Sequence, residues 1–509
     1  MSPDSLALMV QGTASSAGKS LLVAALCRIF AQDGVRVAPF KAQNMALNSF
    51  VTPEGHEIGR SQAVQAEAAG IHPHVDMNPI LLKPEGDDRS QVVVMGRPWQ
   101  TLPATSYYER KPILWEQVTA ALARLRARYE LVIIEGAGSP AEINLRQSDI
   151  VNMAVALHAD APVLLVGDID RGGVFASMVG TLVLLEEEER RLIKGLIVNK
   201  FRGDVRLLQP GLEMLEERTG VPVLGVIPYL HQLHIAEEDS VALEGASAAA
   251  RLDGALDVAV IRLPRISNFD DFDGLALEPG VQLRYVSTPR ELGQPAAVIL
   301  PGTKHTISDL GWLRSQGLDG RIVDLARQGI AVVGICGGYQ MLGRSISDPS
   351  GVESAAGERS AGLDLLPVIT EFAAVKETHQ AQAQVLSGPG VETEVTGYEI
   401  HMGHSRRAGN SVRPLLRLTQ RSGQPVHVKD SLDGAVDAAG RIWGTYLHGI
   451  FDNTDFRRAW LRSLGWSPPD QEVDLAAIRQ AAYDRLAAAV RSSLDMDRLR
   501  HIVEVGSRK

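Results

Sequence analysis

Cysteine is scarce in this chain: Cys27 and Cys336 are the only two among 509 residues. Two thiols make no disulfide framework, which points to a reducing compartment. Long apolar runs are missing too, and none approaches the roughly 20 residues that a membrane-spanning helix needs. Met1 to Val10 carries neither a basic stretch nor an extended apolar core, so no signal peptide is expected and the expected location is cytoplasmic. Positive charge is in deficit: 51 Lys and Arg stand against 61 Asp and Glu, a formal net charge of -10. This excludes a general nucleic-acid binder, whose affinity rests on neutralising many phosphates. It leaves room for a nucleotide, whose phosphates need only one electropositive pocket. No repeat of fixed period runs through the chain. Its composition, 45% hydrophobic and 22% charged, is that of a folded globular protein. Its length suits roughly two to four domains.

The first half alternates short apolar runs with longer helical patterns. The runs are Leu6–Val10, Val35–Ala38, Leu131–Ile134, Val163–Val166, Leu196–Val198 and Val223–Ile227. Amphipathic stretches such as Leu21–Phe30, Ile113–Arg128 and Leu208–Arg218 lie between them. Strands apolar on both faces and separated by helices predict a parallel sheet covered on both sides. The functional edge of such a sheet is where its strands end. Periodicity fades over Ser240–Gly254, where Ala, Gly and Ser dominate. A linker is expected at 241–254, between domains at 1–240 and 255–509. A second α/β series follows with Leu256–Leu263, Ala297–Leu300, Ile330–Ile335 and Arg441–Thr445, and a helical stretch from Leu475 to Val503 closes the chain. The expected class is α/β with two doubly wound domains. The acidic run Glu186–Glu189 reads as a solvated helix face.

Gly12-Thr13-Ala14-Ser15-Ser16-Ala17-Gly18-Lys19-Ser20 follows the first strand run and opens a helix. Small residues let backbone N–H groups converge on phosphate oxygens, and the helix N-terminus adds favourable partial charge. Lys19 would reach the β/γ-phosphates and Ser20 would hold Mg²⁺. The usual spacing puts Gly where Thr13 stands, and Gly12 lies one residue further back. Glu135, Asp168 and Asp170 sit at strand ends, where an acid either serves a metal or caps a helix; metal is the favoured reading for Glu135. Asn199 also ends a strand, where its amide suits a nucleobase edge or loop capping.

The second half holds a sharper feature. The apolar strand Ile330–Ile335 runs into Cys336-Gly337-Gly338-Tyr339-Gln340. A nucleophile on a tight strand-to-helix turn needs small neighbours, and a helix N-terminus favours its thiolate. Backbone N–H groups of Gly337 and of the Pro301-Gly302-Thr303 loop suit an oxyanion hole. Cys27, inside a helix, reads as a buried apolar thiol. Of 13 histidines, His448 stands out as the base, because it follows the strand run Ile442–Tyr446 and precedes Gly449. No Cys or acid completes a ligand set around His401 and His404, so they predict no metal site. The group that orients His448 is left open: a backbone carbonyl or an acid elsewhere.

The runs Ile335–Leu342 and Gly444–Gly449 resemble a class I glutamine amidotransferase domain, which has a flavodoxin-like fold. Ile450, where the commonest pattern has Glu, is typical of its cobalamin-pathway branch. The first half resembles the dethiobiotin synthetase type of P-loop fold, whose loop carries the same extra residue. Over nearly its full length the chain is similar to the cobyric acid synthase family. The matching stretches are Lys41–Ser49, Glu135–Leu145, Asp168–Phe175, Val198–Asp204, Pro264–Asp273, Leu300–Lys304 and Tyr398–Gly403, with Ala42 where many relatives have Pro.

That resemblance implies glutamine- and ATP-dependent amidation, with Mg²⁺, of the b, d, e and g side-chain carboxylates of adenosylcobyrinic acid a,c-diamide, giving adenosylcobyric acid. Cys336 and His448 would free ammonia from glutamine. The loop from Gly12 to Ser20, with Glu135 on the metal, would serve carboxylate activation. The expected partners are glutamine and a corrinoid, with neither nucleic acid nor membrane. A polyanionic substrate calls for a locally basic pocket, for which Lys41, Arg171, Lys200 and Arg202 are the candidates, with Asn44 and Asp170 beside them. Tyr398 and His401 are expected at the corrinoid entrance. Two competing readings are a cobyrinic acid a,c-diamide synthase and a P-loop switch ATPase with a non-catalytic glutaminase-like module.

Overall fold

The parallel sheets expected from the apolar runs form, one in each of two units of a computed structural model that describes residues 5–85, 89–231, 233–236, 254–468 and 473–506. The expected linker lies outside the described residues, Gly254 excepted. One unit comprises Met1–Met45, Ile58–Ile235 and Ala476–Lys509; the other comprises Ala46–Glu57 and Ala236–Leu475. This grouping differs from the expected division at two places. Residues 46–57 belong with the second unit, and the closing helices belong with the first.

The closing stretch is two helices, Leu475–Ser493 and Met496–Gly506. Tyr483, Leu486, Ala487 and Val490 are buried at helical spacing, a stripe that must find an apolar partner. Ion pairs from Arg28 to Asp484 at 2.8 Å and from Arg491 to Asp33 at 2.8 Å hold it within the first unit. The helix breaks where Leu494 bridges Gly225 and the Asp495 N–H donates to the Leu224 carbonyl.

In the main sheet of the first unit the strands are β1 (Leu6–Gly12), β2 (Val37–Phe40), β3 (Leu131–Glu135), β4 (Val163–Asp168), β5 (Ile193–Phe201) and β6 (Val223–Pro228). They lie side by side in the order β6-β5-β4-β1-β3-β2, all parallel. Register sets Val10 beside Glu135 and Gly12 beside Val166, so the loop after β1 and the acid ending β3 reach the same sheet edge.

The second unit holds β7 (Leu256–Ile261), β8 (Val281–Val286), β9 (Ala297–Leu300), β10 (Ala331–Ile335), β11 (Val368–Val385), β12 (Glu394–Arg407), β13 (Ala435–Val436) and β14 (Ile442–Thr445). The order in the main sheet is β8-β7-β9-β10-β14-β13, antiparallel only at β13. The long antiparallel pair β11 and β12 belongs to a separate sheet. Sequence patterning did not announce that pair: the middle of β11 is half-exposed on both faces, and its pairing slips between Phe372 and Glu377.

The acidic run corrects another expectation. Glu186 and Glu189 close a capping box on the helix Glu187–Leu192. Glu189 is buried and lies 3.4 Å from Arg146, so the run is not wholly solvated. Among the described residues, no helix is long and apolar enough to cross a membrane.

Candidate active sites

In the first unit, Gly18 stands at φ +91 and caps the helix Lys19–Gln32, a conformation that favours glycine. A Cβ on Gly12 would come within 3.0 Å of the Lys19 Nζ and 2.9 Å of the Ala14 carbonyl. The lysine curls back over its own loop, donating to the carbonyls of Ala14 at 2.9 Å and Gly138 at 3.0 Å. Ser20 Oγ donates to Glu135 Oε1 at 2.8 Å. Lys41 Nζ reaches the same oxygen at 2.9 Å, and Gln65 Nε2 reaches Oε2 at 2.6 Å. Burial works against the Glu135 charge, but the Lys41 ammonium with the Gln65 and Ser20 donors outweighs it and holds the carboxyl below its ordinary range. A hydroxyl and an ionised carboxylate at the mouth of the loop are hard oxygen donors, and this set fits Mg²⁺.

Asn199 turns inward. Its amide donates to the Ala17 carbonyl at 2.9 Å, and its oxygen accepts the Lys200 N–H at 2.9 Å. The first of these bonds ties the end of β5 to the phosphate loop. Lys200, at φ +62, donates to the Ser16 carbonyl at 2.7 Å and pairs with Asp168 at 3.0 Å.

In the second unit, β10 pairs in parallel with β14, Ile335 beside Thr445. Cys336 and His448 therefore leave adjacent strands at the same end. Cys336 stands at φ +52, ψ −110, backbone strain of about 1–3 kcal/mol for a residue with a side chain. Its N–H donates to the Thr445 carbonyl at 2.8 Å, and its Sγ lies 3.6 Å from the Ile400 carbonyl on β12. A Cβ on Gly338 would collide with the Leu300 carbonyl, so only glycine fits this turn. Gly337 abuts the Thr303 N–H, and Gly302 abuts the His448 ring, which brings both expected oxyanion-hole donors to one place.

The orienting group left open by the sequence is Asp271. Its Oδ2 lies 2.6 Å from His448 Nδ1, and its Oδ1 accepts the Gly449 N–H at 2.9 Å. All of this is buried, with His448 at 1% exposure. Burial alone disfavours the imidazolium, but the Asp271 carboxylate and a hydrogen bond with Cys336 override it and raise the His448 pKa to about 10. Asp271 stands 177 residues before His448, so no short motif reveals it. The only signal was its place in the Pro264–Asp273 stretch.

The expected substrate residues fare less uniformly. Lys41 is buried on Glu135, Lys200 pairs with Asp168, and Arg202 pairs with Asp170 at 2.8 Å while stacking on Tyr229. The expected basic pocket is thus largely neutralised by neighbouring acids; Arg171 is exposed and, among the described residues, has no ion-pair partner. Asn44 is buried, donating to Gln62 at 3.0 Å and accepting the Met45 N–H. Tyr398 and His401, expected at the corrinoid entrance, are both buried. Tyr398 is buried and lies flat on the His448 ring, centroids 5.2 Å apart, with both backbone groups bonded to His448. His401 stacks on Tyr446 at 3.8 Å and faces Glu399 at 3.7 Å. β12 is buried on both faces from Tyr398 to His401, so the two side chains reach the interior from opposite faces of the strand.

These features define the class: an amidotransferase unit and a nucleotide-binding unit in one chain. Residues 257–456 match the family described as "CobB/CobQ-like glutamine amidotransferase domain", and residues 8–242 match "CobQ/CobB/MinD/ParA nucleotide binding domain". A protein from Chloroflexus aurantiacus named cobyric acid synthase is 56% identical over 97% of this chain and 98% of its own length. Another of that name from Roseiflexus castenholzii is 54% identical over 98% and 99%. The chain belongs to the cobyric acid synthase family. These relatives favour that family over either competing reading. A solved glutamine amidotransferase aligns with 41% of this chain and 99% of its own at 17% identity, TM-score 0.31, too loose a likeness to bear on the argument.

Proposed function

We propose that this chain uses ATP and glutamine nitrogen to convert the b, d, e and g carboxylates of adenosylcobyrinic acid a,c-diamide into amides. The observation that carries the reading is Cys336 on a strained turn beside His448, itself seated on the buried Asp271. A cation against sulfur is the electrostatic setting a thiolate nucleophile needs. Cys336 Sγ attacks the glutamine side-chain carbonyl, and the oxyanion meets the N–H groups of Gly337 and the Gly302 loop. His448 gives its proton to the departing nitrogen, so ammonia leaves and a thioester remains. His448 then takes a proton from water, whose oxygen displaces the thiolate and frees glutamate. Asp271 holds the ring in one tautomer throughout.

In the first unit, Gly12, Thr13, Ser16, Ala17 and Gly18 cradle the nucleotide phosphates, and Asn199 keeps the loop in shape. Mg²⁺, held by Ser20 and Glu135 when bound, would offset phosphate charge. Lys19 swings from its carbonyl partners onto the γ-phosphate. A substrate carboxylate oxygen attacks that phosphorus, ADP leaves, and ammonia displaces phosphate from the resulting acyl phosphate. Activation is needed because a free carboxylate does not react with ammonia at neutral pH. Of the four candidate cations, Arg171 is the one with no ion-pair partner among the described residues, and it would meet a substrate carboxylate. The site is proposed to work in the cytoplasm.

The test incubates the purified chain with glutamine, Mg·ATP and the a,c-diamide and follows corrinoid mass. Stepwise conversion of four acids to amides supports the reading. Amidation of a non-amidated corrinoid at a and c alone would replace it with the sister diamide synthase.

A further inference from the structure

Residues 46–57 belong to the second unit although they are encoded between elements of the first. They are fastened there by buried polar contacts. Asn48 Oδ1 accepts the Asn268 N–H at 2.7 Å, and Asn268 Oδ1 accepts the Ser49 N–H at 3.0 Å. Asn48, Ser49 and Asn268 are each at most 2% exposed. Glu57 pairs with Lys376 at 2.5 Å, and Gln380 donates to the Val51 carbonyl. A connection that merely returned the chain would run over the surface, with its polar groups in water.

This segment bears on the imidazole along two lines. Asn268, at φ +53, caps the short turn Phe269–Phe272, and its carbonyl accepts the Asp271 N–H at 3.1 Å. Asp271 is the carboxylate on His448. Along the other line, Phe50 packs on Tyr398 with centroids 5.7 Å apart, and Tyr398 lies flat on His448.

We propose that Asn48 and Asn268 are positioning residues for glutamine hydrolysis: their reciprocal bonds fix the turn that carries Asp271, and so the orientation of His448 toward Cys336. This rests on reading Cys336 and His448 as the glutaminase pair. Without the Asn48 oxygen, the Asn268 N–H is buried without that acceptor, and the left-handed residue that opens the turn loses one of the bonds that hold it. Misplacing a catalytic group by about 1 Å costs on the order of 10²-fold in rate. The amidotransferase unit thus takes a working part from the nucleotide-binding half of the sequence.

The test measures glutamate release by the full-length chain. Asn48→Leu, which removes the acceptor at similar volume, should lower kcat about tenfold or more and leave KM within about twofold. Asn48→Asp keeps the acceptor and should restore most of the rate. Asn268→Gly keeps the left-handed backbone and its N–H but drops the side-chain oxygen, and should fall between. A downfield imidazole N–H proton resonance from the short His448–Asp271 bond should persist with Asp at 48 and weaken with Leu. Wild-type kcat in Asn48→Leu would overturn the proposal. So would equal losses of rate and thermal stability in the Leu and Asp variants. A Cys336→Ala chain that still hydrolysed glutamine would instead remove the functional reading itself.

Discussion

The two sites solve the placement of charge in opposite ways. At the loop of the first unit, the Lys41 cation holds the buried acid Glu135 ionised. At the turn of the second, the buried acid Asp271 keeps a base, His448, protonated. Their construction differs as well. The phosphate loop is one run of nine residues, Gly12 to Ser20, braced from outside. The cysteine site is assembled from residues near 48, 271, 302, 336, 398 and 448, with only short pieces from each. A contiguous loop depends on local backbone geometry, and an assembled site depends on register between strands.

The largest expected effects separate the two sites. Cys336→Ala should cut glutamine-dependent amidation roughly 10³-fold or more while ammonia still supports product. Lys19→Ala should remove product formation from either nitrogen source, by roughly 10²-fold or more, and spare glutamate release. Parallel assays of glutamate and amidated corrinoid check both. If each variant abolished both outputs, the division of labour would fail. Next in size is Asp271→Asn, expected to lower glutamine hydrolysis by about 10²–10⁴-fold with little change in KM, because the ring keeps its place and loses the charge that fixes its tautomer. A steady-state rate within a few-fold of wild type would leave Asp271 as packing alone.

How much of this was legible follows from the same contrast. All six expected strands of the first half take their places in one parallel sheet, because buried central strands are apolar on both faces and announce themselves. The phosphate loop and the cysteine turn were legible because glycine and small residues mark backbone that nothing else can adopt. Asp271 was not, because its partner lies 177 residues away and register, not spacing, joins them. Asn48 and Asn268 each lay in a stretch already singled out, Lys41–Ser49 and Pro264–Asp273, but the sequence did not say that these stretches meet. The acidic partners of the basic candidates were not legible, because a strand end that offers a cation to a substrate offers it equally to a neighbouring acid, as Lys41, Lys200 and Arg202 show. The depth of Tyr398 and His401 was not legible because β12 is buried on both faces at 398–401, where polar residues give no alternation to read.

The smallest expected effect concerns stability, and it tests whether the buried pair in the second unit stores the charge just described. His448 has its pKa raised from 6.5 to about 10 in the folded chain, so folding binds a proton that unfolding releases. The stabilisation is fully present below about pH 6.5 and is lost as pH rises through 10. Asp271→Asn removes the carboxylate charge that offsets burial, and with it most of that dependence. Urea unfolding midpoints of the second unit, taken from pH 6.5 to 10, should therefore differ most between wild type and Asp271→Asn at the acidic end. The gap should close at no more than about 1.4 kcal/mol per pH unit, the limit for a single proton. Groups that titrate in this range without touching His448 or Asp271 act on both proteins alike and cancel in the difference. A gap that stayed constant across the range would mean that Asp271 holds His448 by geometry alone, and the opposition between the two sites would then reduce to one of shape.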